Sequence, residues 1–379
     1  MSKKIAILAG EASGDLTGAI LARALKNKKP EIDIFGTGGH KMKNAGVRLI
    51  YDTTSLGLIG IWESLGKIPV LFQMMNNLKK MLVRENPDVV VFVDTPSLNL
   101  RLARFAKSMG FKTIYYFPPS AWSTEVERVR NIARCVDKIV PVFSFTEETY
   151  KKAGIETAYF GHPLVDILDG IPKGEDILKE LNFVNVNPVI GILPGSRIQE
   201  IRTLLPPMLK AAAKIKEALP GAEFILPAAL PVFESYIKEK IKDSPVPVHL
   251  VSGRAQEVMK VSRILIMASG SASLEAACFQ TPMILLYKLS KPDWFLINLL
   301  VKIPYAGLPN LILQKKVVPE LLQNQVTPEA ISSLAIELLK DDEKRKAMIA
   351  DLKNVREKLG SCGVVEKVAN LVLETVGGK

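Results

Sequence analysis

Short, β-branched apolar runs recur along this chain with helix-forming stretches between them, and they come in two sets. The first comprises Ile5–Ala9, Ile32–Phe35, Val89–Asp94, Thr113–Phe117, Lys138–Phe143 and Ala158–Gly161. After Gly161-His162-Pro163 a polar passage containing Gly and Pro runs to Pro188. The pattern then restarts with Val189–Leu193, Glu223–Leu226, Val248–Val251, Ile264–Ala268 and Met283–Tyr287. Strands that are apolar throughout are buried on both faces, so alternation with helices predicts parallel sheets covered by crossover helices. Two such sets predict an α/β chain of two Rossmann-like, doubly wound domains facing a cleft. The boundaries fall at 1–165 for the N-terminal domain, 166–187 for a linker and 188–379 for the C-terminal domain. The charged, helix-forming tail, capped at Thr327-Pro328-Glu329, packs around the second domain, with its last helix able to cross back to the first. The length of 379 residues agrees, since a single core serves roughly 150–200 residues.

Doubly wound domains bind ligands beyond the carboxyl ends of their strands, so the loops that follow strands hold the candidate site. In the second domain, the strand ending at Ala268 runs into Ser269-Gly270-Ser271-Ala272-Ser273-Leu274-Glu275. Small hydroxyl residues at such a turn let a diphosphate approach backbone N–H groups. Leu193-Pro194-Gly195-Ser196-Arg197, with Glu200 after it, is built alike. Arg197 and Glu200 form a structural ion pair on one view, and a grip on phosphate oxygens on the other. The two loops together favour a diphosphate on the turns and a ribose hydroxyl on Glu275. Asn310, in Leu308-Pro309-Asn310, is placed near the same ligand, although the stretch also suits a plain turn.

In the first domain, Gly10-Glu11-Ala12-Ser13-Gly14-Asp15 lacks the GxGxxG spacing. Its two carboxylates, Glu11 and Asp15, suit sugar hydroxyls better than phosphate. Asp94, at the end of a hydrophobic strand, either caps the next helix or takes a proton from an attacking hydroxyl. His162, beside the domain junction, is expected to be a structural histidine.

The three cysteines, Cys135, Cys278 and Cys362, match no metal spacing and are expected to be small buried hydrophobes in a reducing compartment. With only three histidines, a multi-histidine metal centre is not expected. The start of the chain has no secretory signal, which points to the cytoplasm. No apolar run reaches the roughly 18–20 residues of a transmembrane helix. The net charge of +11 calls for an anionic counterpart, either phospholipid or a phosphorylated substrate; no RNA-binding signature accompanies it. Leu56–Val83 and Trp294–Tyr305 interleave Trp, Phe and Met with lysines. They read either as core helices or as a lipid-facing patch, with Trp62, Phe72, Met74, Trp294 and Phe295 as contacts for membrane or acyl chains.

Taken in order, these stretches resemble the lipid-A-disaccharide synthase family, glycosyltransferases of the two-domain GT-B architecture. The resemblance spans nearly the whole chain. It rests on Ala9–Asp15, Gly57–Glu63, Asp94-Thr95-Pro96, Gly161–Asp166, Leu193–Arg197, Ala268–Glu275 and Leu308-Pro309-Asn310. It implies an inverting transfer of 2,3-diacylglucosamine from its UDP derivative to 2,3-diacylglucosamine 1-phosphate, forming lipid A disaccharide and UDP. It further implies catalytic Asp94 and Glu11, and a UDP-sugar site of Ser13, Arg197, Glu200, Ser269, Gly270, Ser271, Glu275 and Asn310. No metal or other cofactor is implied, and the place of action is the cytoplasmic side of an anionic inner membrane, with peripheral attachment. Two departures stand on the acceptor side: Ser97 where the family carries a carboxylate, and Trp122-Ser123-Thr124-Glu125 where it carries Trp-Ala-Trp-Arg. They leave three alternatives open: another lipid or sugar acceptor, a UDP-sugar epimerase on the same architecture, and a non-catalytic UDP-sugar binder.

Overall fold

The computed structural model describes residues 3–53, 68–119, 126–171, 178–180, 183, 188–290, 294 and 305–377. They form two compact units, Met1–Asp166 with Leu359–Lys379, and Ile167–Lys358. Trp62, Trp122, Glu125 and Phe295 lie outside the described residues, as does the side chain of Ser97.

In the first unit the strands are β1 (Lys4–Ala9), β2 (Asp33–Gly38), β3 (Arg48–Asp52), β4 (Val89–Val93), β5 (Thr113–Tyr116), β6 (Lys138–Val140) and β7 (Glu156–Thr157). Their order is β3-β2-β1-β4-β5-β6-β7, and every neighbouring pair is parallel. In the second unit β8 (Val189–Leu193), β9 (Glu223–Ala228), β10 (His249–Ser252), β11 (Ile264–Ala268), β12 (Met283–Tyr287) and β13 (Glu320–Leu322) follow the order β10-β9-β8-β11-β12-β13, again all parallel. Each order turns back at the first strand of its set, which is the Rossmann-like doubly wound arrangement.

The central strands are buried along their length, as with Val89–Val93 and Ile264–Ala268. The strands without an apolar signature lie at the edges. Arg48–Asp52 and Glu320–Leu322 carry charged ends and stay partly exposed, as edge strands do. At the other edge of the first sheet the expected Ala158–Gly161 is not strand, and Glu156–Thr157 pairs with β6 instead.

Gly161–Asp166 serves as a clasp for the tail of the chain. Gly161, at φ +109°, lies so close to the Leu359 carbonyl that a Cβ would sit 2.7 Å from its oxygen, so only glycine fits. The His162 N–H donates to the same carbonyl at 2.8 Å. The Asp166 carboxylate accepts from the N–H groups of Gly363 and Val365 at 2.6 and 2.8 Å. The helix Val364–Gly377 that starts there buries Val364, Val368, Val372 and Val376, packing on the helix Ala12–Lys28. The tail's last helix thus belongs to the first unit.

The cysteines do not all behave as buried hydrophobes. Cys135 is buried, while Cys362 is exposed beside Val165 in the clasp. Burial pushes the Cys278 thiol up to about 12, which keeps it protonated and unreactive at neutral pH.

The His162 ring is enclosed by Phe117 and Phe143, and its Nδ1 accepts from the Leu164 N–H at 3.0 Å. Burial pushes its pKa from 6.5 down to about 3. The neutral ring is favoured by folding, so its contribution is complete above pH 6.5 and is lost as the pH falls below that value and the unfolded chain takes up the proton. In His162→Asn the side-chain oxygen takes over as acceptor without titrating. From pH 6.5 to 5 the native chain should therefore lose about 2 kcal/mol more than the variant, read from urea midpoints. Equal losses would remove His162 as the cause.

Candidate functional site

Two groups of side chains gather beyond the carboxyl ends of the sheets, one in each unit. In the first, β4 ends at Val93, and the next two residues take left-handed backbone, Asp94 at φ 53° and Thr95 at φ 45°. For a β-branched threonine this is a true outlier. Such a conformation costs about 1–3 kcal/mol per residue and persists only where surroundings impose it. Pro96 then opens the helix Pro96–Ser108, with the Asn99 N–H returning to the Thr95 carbonyl at 3.0 Å.

Asp94 does not act as a side-chain cap for that helix. Its carboxylate instead accepts from the Ser13 hydroxyl at 2.7 Å, across from the β1 loop. Ser13, expected on the nucleotide, is thereby placed beside Asp94. Gly10 lets this loop approach, because a Cβ there would fall 2.5 Å from the Thr95 side chain. Of the two loop carboxylates, Asp15 is drawn away from the site. Asp15 is buried and accepts from the N–H groups of Gly39, Lys41 and Met42, capping the helix His40–Asn44.

In the second unit a cavity of about 820 Å³ is lined by Gly195, Ser196, Arg197, Glu200, Ser269, Gly270, Ser271 and Glu275. Its volume lies in the usual range for small-molecule sites, roughly 300–1,000 Å³. The two loops predicted as a pair thus line one cavity. Ser273 turns inward to the Gly270 carbonyl, while Gly270 and Ser271 stay exposed. Arg197 is half exposed and lies 3.8 Å from Glu200, a distance too long for a firm pair, so its guanidinium has freedom to meet an anion. The Glu200 carboxylate has a bracing contact. It accepts from the Ser196 N–H at 3.0 Å and lies where a side chain on Gly195 would have to go. Glu275 accepts from the Gln256 amide at 2.8 Å. The other wall is apolar and includes Tyr287, Trp294, Tyr305, Leu308 and Leu322. Trp294, Tyr305 and Leu308 fall in stretches that the sequence singles out, whereas Tyr287 and Leu322 end strands, where isolated residues carry no local pattern.

Two expected contacts are overturned. Asn310 is buried with its side chain fully engaged: Oδ1 accepts from the Val317 and Val318 N–H groups at 2.7 and 2.8 Å, and Nδ2 donates to the Val318 carbonyl and to Glu320. Glu320 in turn holds the N–H groups of Ala306 and Gly307. Asn310 therefore shapes the cavity rim and offers no group to a ligand. Met74, 3% exposed, belongs to the core under the helix Ile68–Glu85, because it shares the inward stripe with Leu78, Met81 and Leu82. Phe72, on the outer side of the same helix, is 68% exposed.

Among the described residues no cluster of His, Cys, Asp and Glu has the arrangement of a metal site. None of their helices is long and apolar enough to cross a membrane.

Two doubly wound units, one with a strained strand-end carboxylate and the other with a paired-loop cavity, are the parts of the GT-B class of fold. Solved structures agree on the fold. The UDP-GlcNAc 2-epimerase of Neisseria meningitidis bound to UDP-GlcNAc superposes with a TM-score of 0.69 at 13% identity, covering 99% of this chain and 100% of that one. The Methanocaldococcus jannaschii UDP-GlcNAc 2-epimerase in complex with UDP-GlcNAc and UDP gives 0.62 at 16%, covering 98% and 99%. The family model described as lipid-A-disaccharide synthetase matches residues 5–372. Lipid-A-disaccharide synthases of Syntrophus aciditrophicus and Coxiella burnetii are 35% and 33% identical, over 99% and 98% of this chain and 98% of each of theirs. The chain belongs to the lipid-A-disaccharide synthase family.

With both ends of its side chain in use, Asn310→Ala strands buried N–H and carbonyl groups of residues 317 and 318. The second unit should lose about 3 kcal/mol, seen as a lower urea midpoint. An unchanged midpoint would show that the rim holds without it.

Proposed function

We propose that this chain is an inverting glycosyltransferase that moves 2,3-diacylglucosamine from UDP to the 6-hydroxyl of 2,3-diacylglucosamine 1-phosphate. The observation that carries this is the family match across residues 5–372. The epimerases share the fold at 13–16% identity, a level that says nothing of their chemistry here. The relatives at 33–35% identity are synthases, which favours transfer over epimerisation.

The Asp94 carboxylate takes the proton of the acceptor hydroxyl as its oxygen attacks the anomeric carbon. The new C–O bond forms on the face opposite the old one. The bond to the diphosphate breaks, and UDP leaves with the electron pair. Arg197 and the serine-rich turn at Ser269-Gly270-Ser271 carry the growing negative charge, a task that a metal ion performs elsewhere. Glu275 holds the ribose, and Glu11 contacts acceptor hydroxyls beside Ser13 and Asp94.

Purified protein with both substrates should release UDP only when the acceptor is present, and disaccharide should form. Asp94→Ala should lower turnover by about a thousandfold with UDP affinity unchanged, whereas Glu275→Ala should weaken UDP binding about tenfold. Near-normal turnover in the first variant removes Asp94 as base; unaltered affinity in the second puts the ribose elsewhere.

Substrates with acyl chains reach the enzyme from a lipid surface. The exposed Phe72, on a helix that also carries Lys79 and Lys80, and the net charge of +11 support peripheral attachment to an anionic membrane. The protein should sediment with vesicles of anionic phospholipid, less so at high salt, and Phe72→Ser should cut the bound fraction severalfold. Equal sedimentation with neutral and anionic vesicles at all salt concentrations would exclude the electrostatic part.

A further inference from the structure

The main-chain carbonyl of Asp94 is gripped from two sides. The Tyr115 hydroxyl, from the middle of β5, donates to it at 2.9 Å. The Asn99 amide, one turn into the following helix, donates to it at 2.8 Å. Asn99 also reaches the carbonyls of Leu8 and Val93, each at 3.1 Å, so one amide ties together the ends of β1 and β4 and the strained residue after them. Both side chains are buried, Tyr115 and Asn99 at 0% exposure. Burial holds the Tyr115 phenol far above its ordinary pKa, so it remains a donor throughout the working range.

These contacts go to the backbone, whereas the Asp94 carboxylate meets Ser13. Left-handed backbone at Asp94 and Thr95 needs outside support. A carbonyl turned by an unusual φ into a waiting pair of buried donors receives that support. Neither donor is replaceable by solvent at this depth.

We infer that Tyr115 and Asn99 are positioning residues for the transfer: by clamping the Asp94 carbonyl they hold the strained turn that aims its carboxylate at the reacting hydroxyl. This rests on Asp94 as the proton acceptor. Loosening the clamp lets the turn relax and swings the carboxylate off line, which slows chemistry more than it affects substrate binding.

Tyr115→Phe removes one donor and nothing else. It should lower kcat about tenfold, with KM for both substrates within twofold and UDP affinity unchanged. Because Tyr115 acts through Asp94, the same substitution in an Asp94→Asn background should leave the residual rate untouched. Tyr116→Phe is the control. Its hydroxyl is buried next door with no hydrogen-bond partner among the described residues, and its loss should cost no activity. Asn99→Ser repeats the cycle from the other side of the carbonyl if Tyr115→Phe folds poorly. A tenfold loss of equal size in both backgrounds would mean general loosening of the fold and overturns the inference, as does full activity in Tyr115→Phe. Full turnover in Asp94→Asn overturns the role of Asp94 and the clamp with it. A dead Asp94→Asn beside a fully active Tyr115→Phe overturns the clamp alone.

Discussion

Parallel strand pairing governs what else this molecule can do. In a parallel sheet every strand leaves by the same edge, so each unit presents its turns as a row at one end. Asp94 and the Glu11–Ser13 loop meet because β4 and β1 are hydrogen-bonded neighbours. The Gly195–Arg197 and Ser269–Ser271 loops line one cavity because β8 and β11 are neighbours as well. The chirality of the crossovers then returns the helices to the faces, where their apolar stripes close the core.

The first unit shows how strain is maintained in such a frame. Two successive left-handed residues would relax if the strand ended in solvent. Here the strained turn lies between buried donors from β5 and the next helix, and Gly10 gives the neighbouring loop room to close over Thr95. The second unit uses the same economy with charge. Glu200 braces the loop that carries Arg197, and Glu320 with Asn310 braces the rim opposite, so carboxylates and amides near the cavity are engaged in shaping it.

Much of this was legible from residue order, and the gaps have physical causes. Central strands announced themselves because burial on both faces demands continuous apolar runs. Edge strands at Arg48–Asp52 and Glu320–Leu322 did not, since one flank meets solvent and tolerates charge. The role of Asn310 is not legible in sequence because a polar residue in a short loop looks alike whether it faces a substrate or buried amides. Met74 resolves to the core reading only in the structure, because an apolar helix face has the same sequence pattern whether it packs on a core or on lipid.

By itself the amino-acid order determined the class of fold, its two repeats of strand and helix, the loops that gather beyond the strand ends and the family to which they belong. These depend on local pattern and on composition at turns, which a linear reading preserves. Tertiary structure alone decided that Asp15 caps a helix while Asp94 stays with Ser13, that Gly161–Asp166 clasps the tail, and that Tyr115 reaches the carbonyl of Asp94. Each of those contacts joins residues far apart in the chain, and only the strand order brings them within hydrogen-bonding distance.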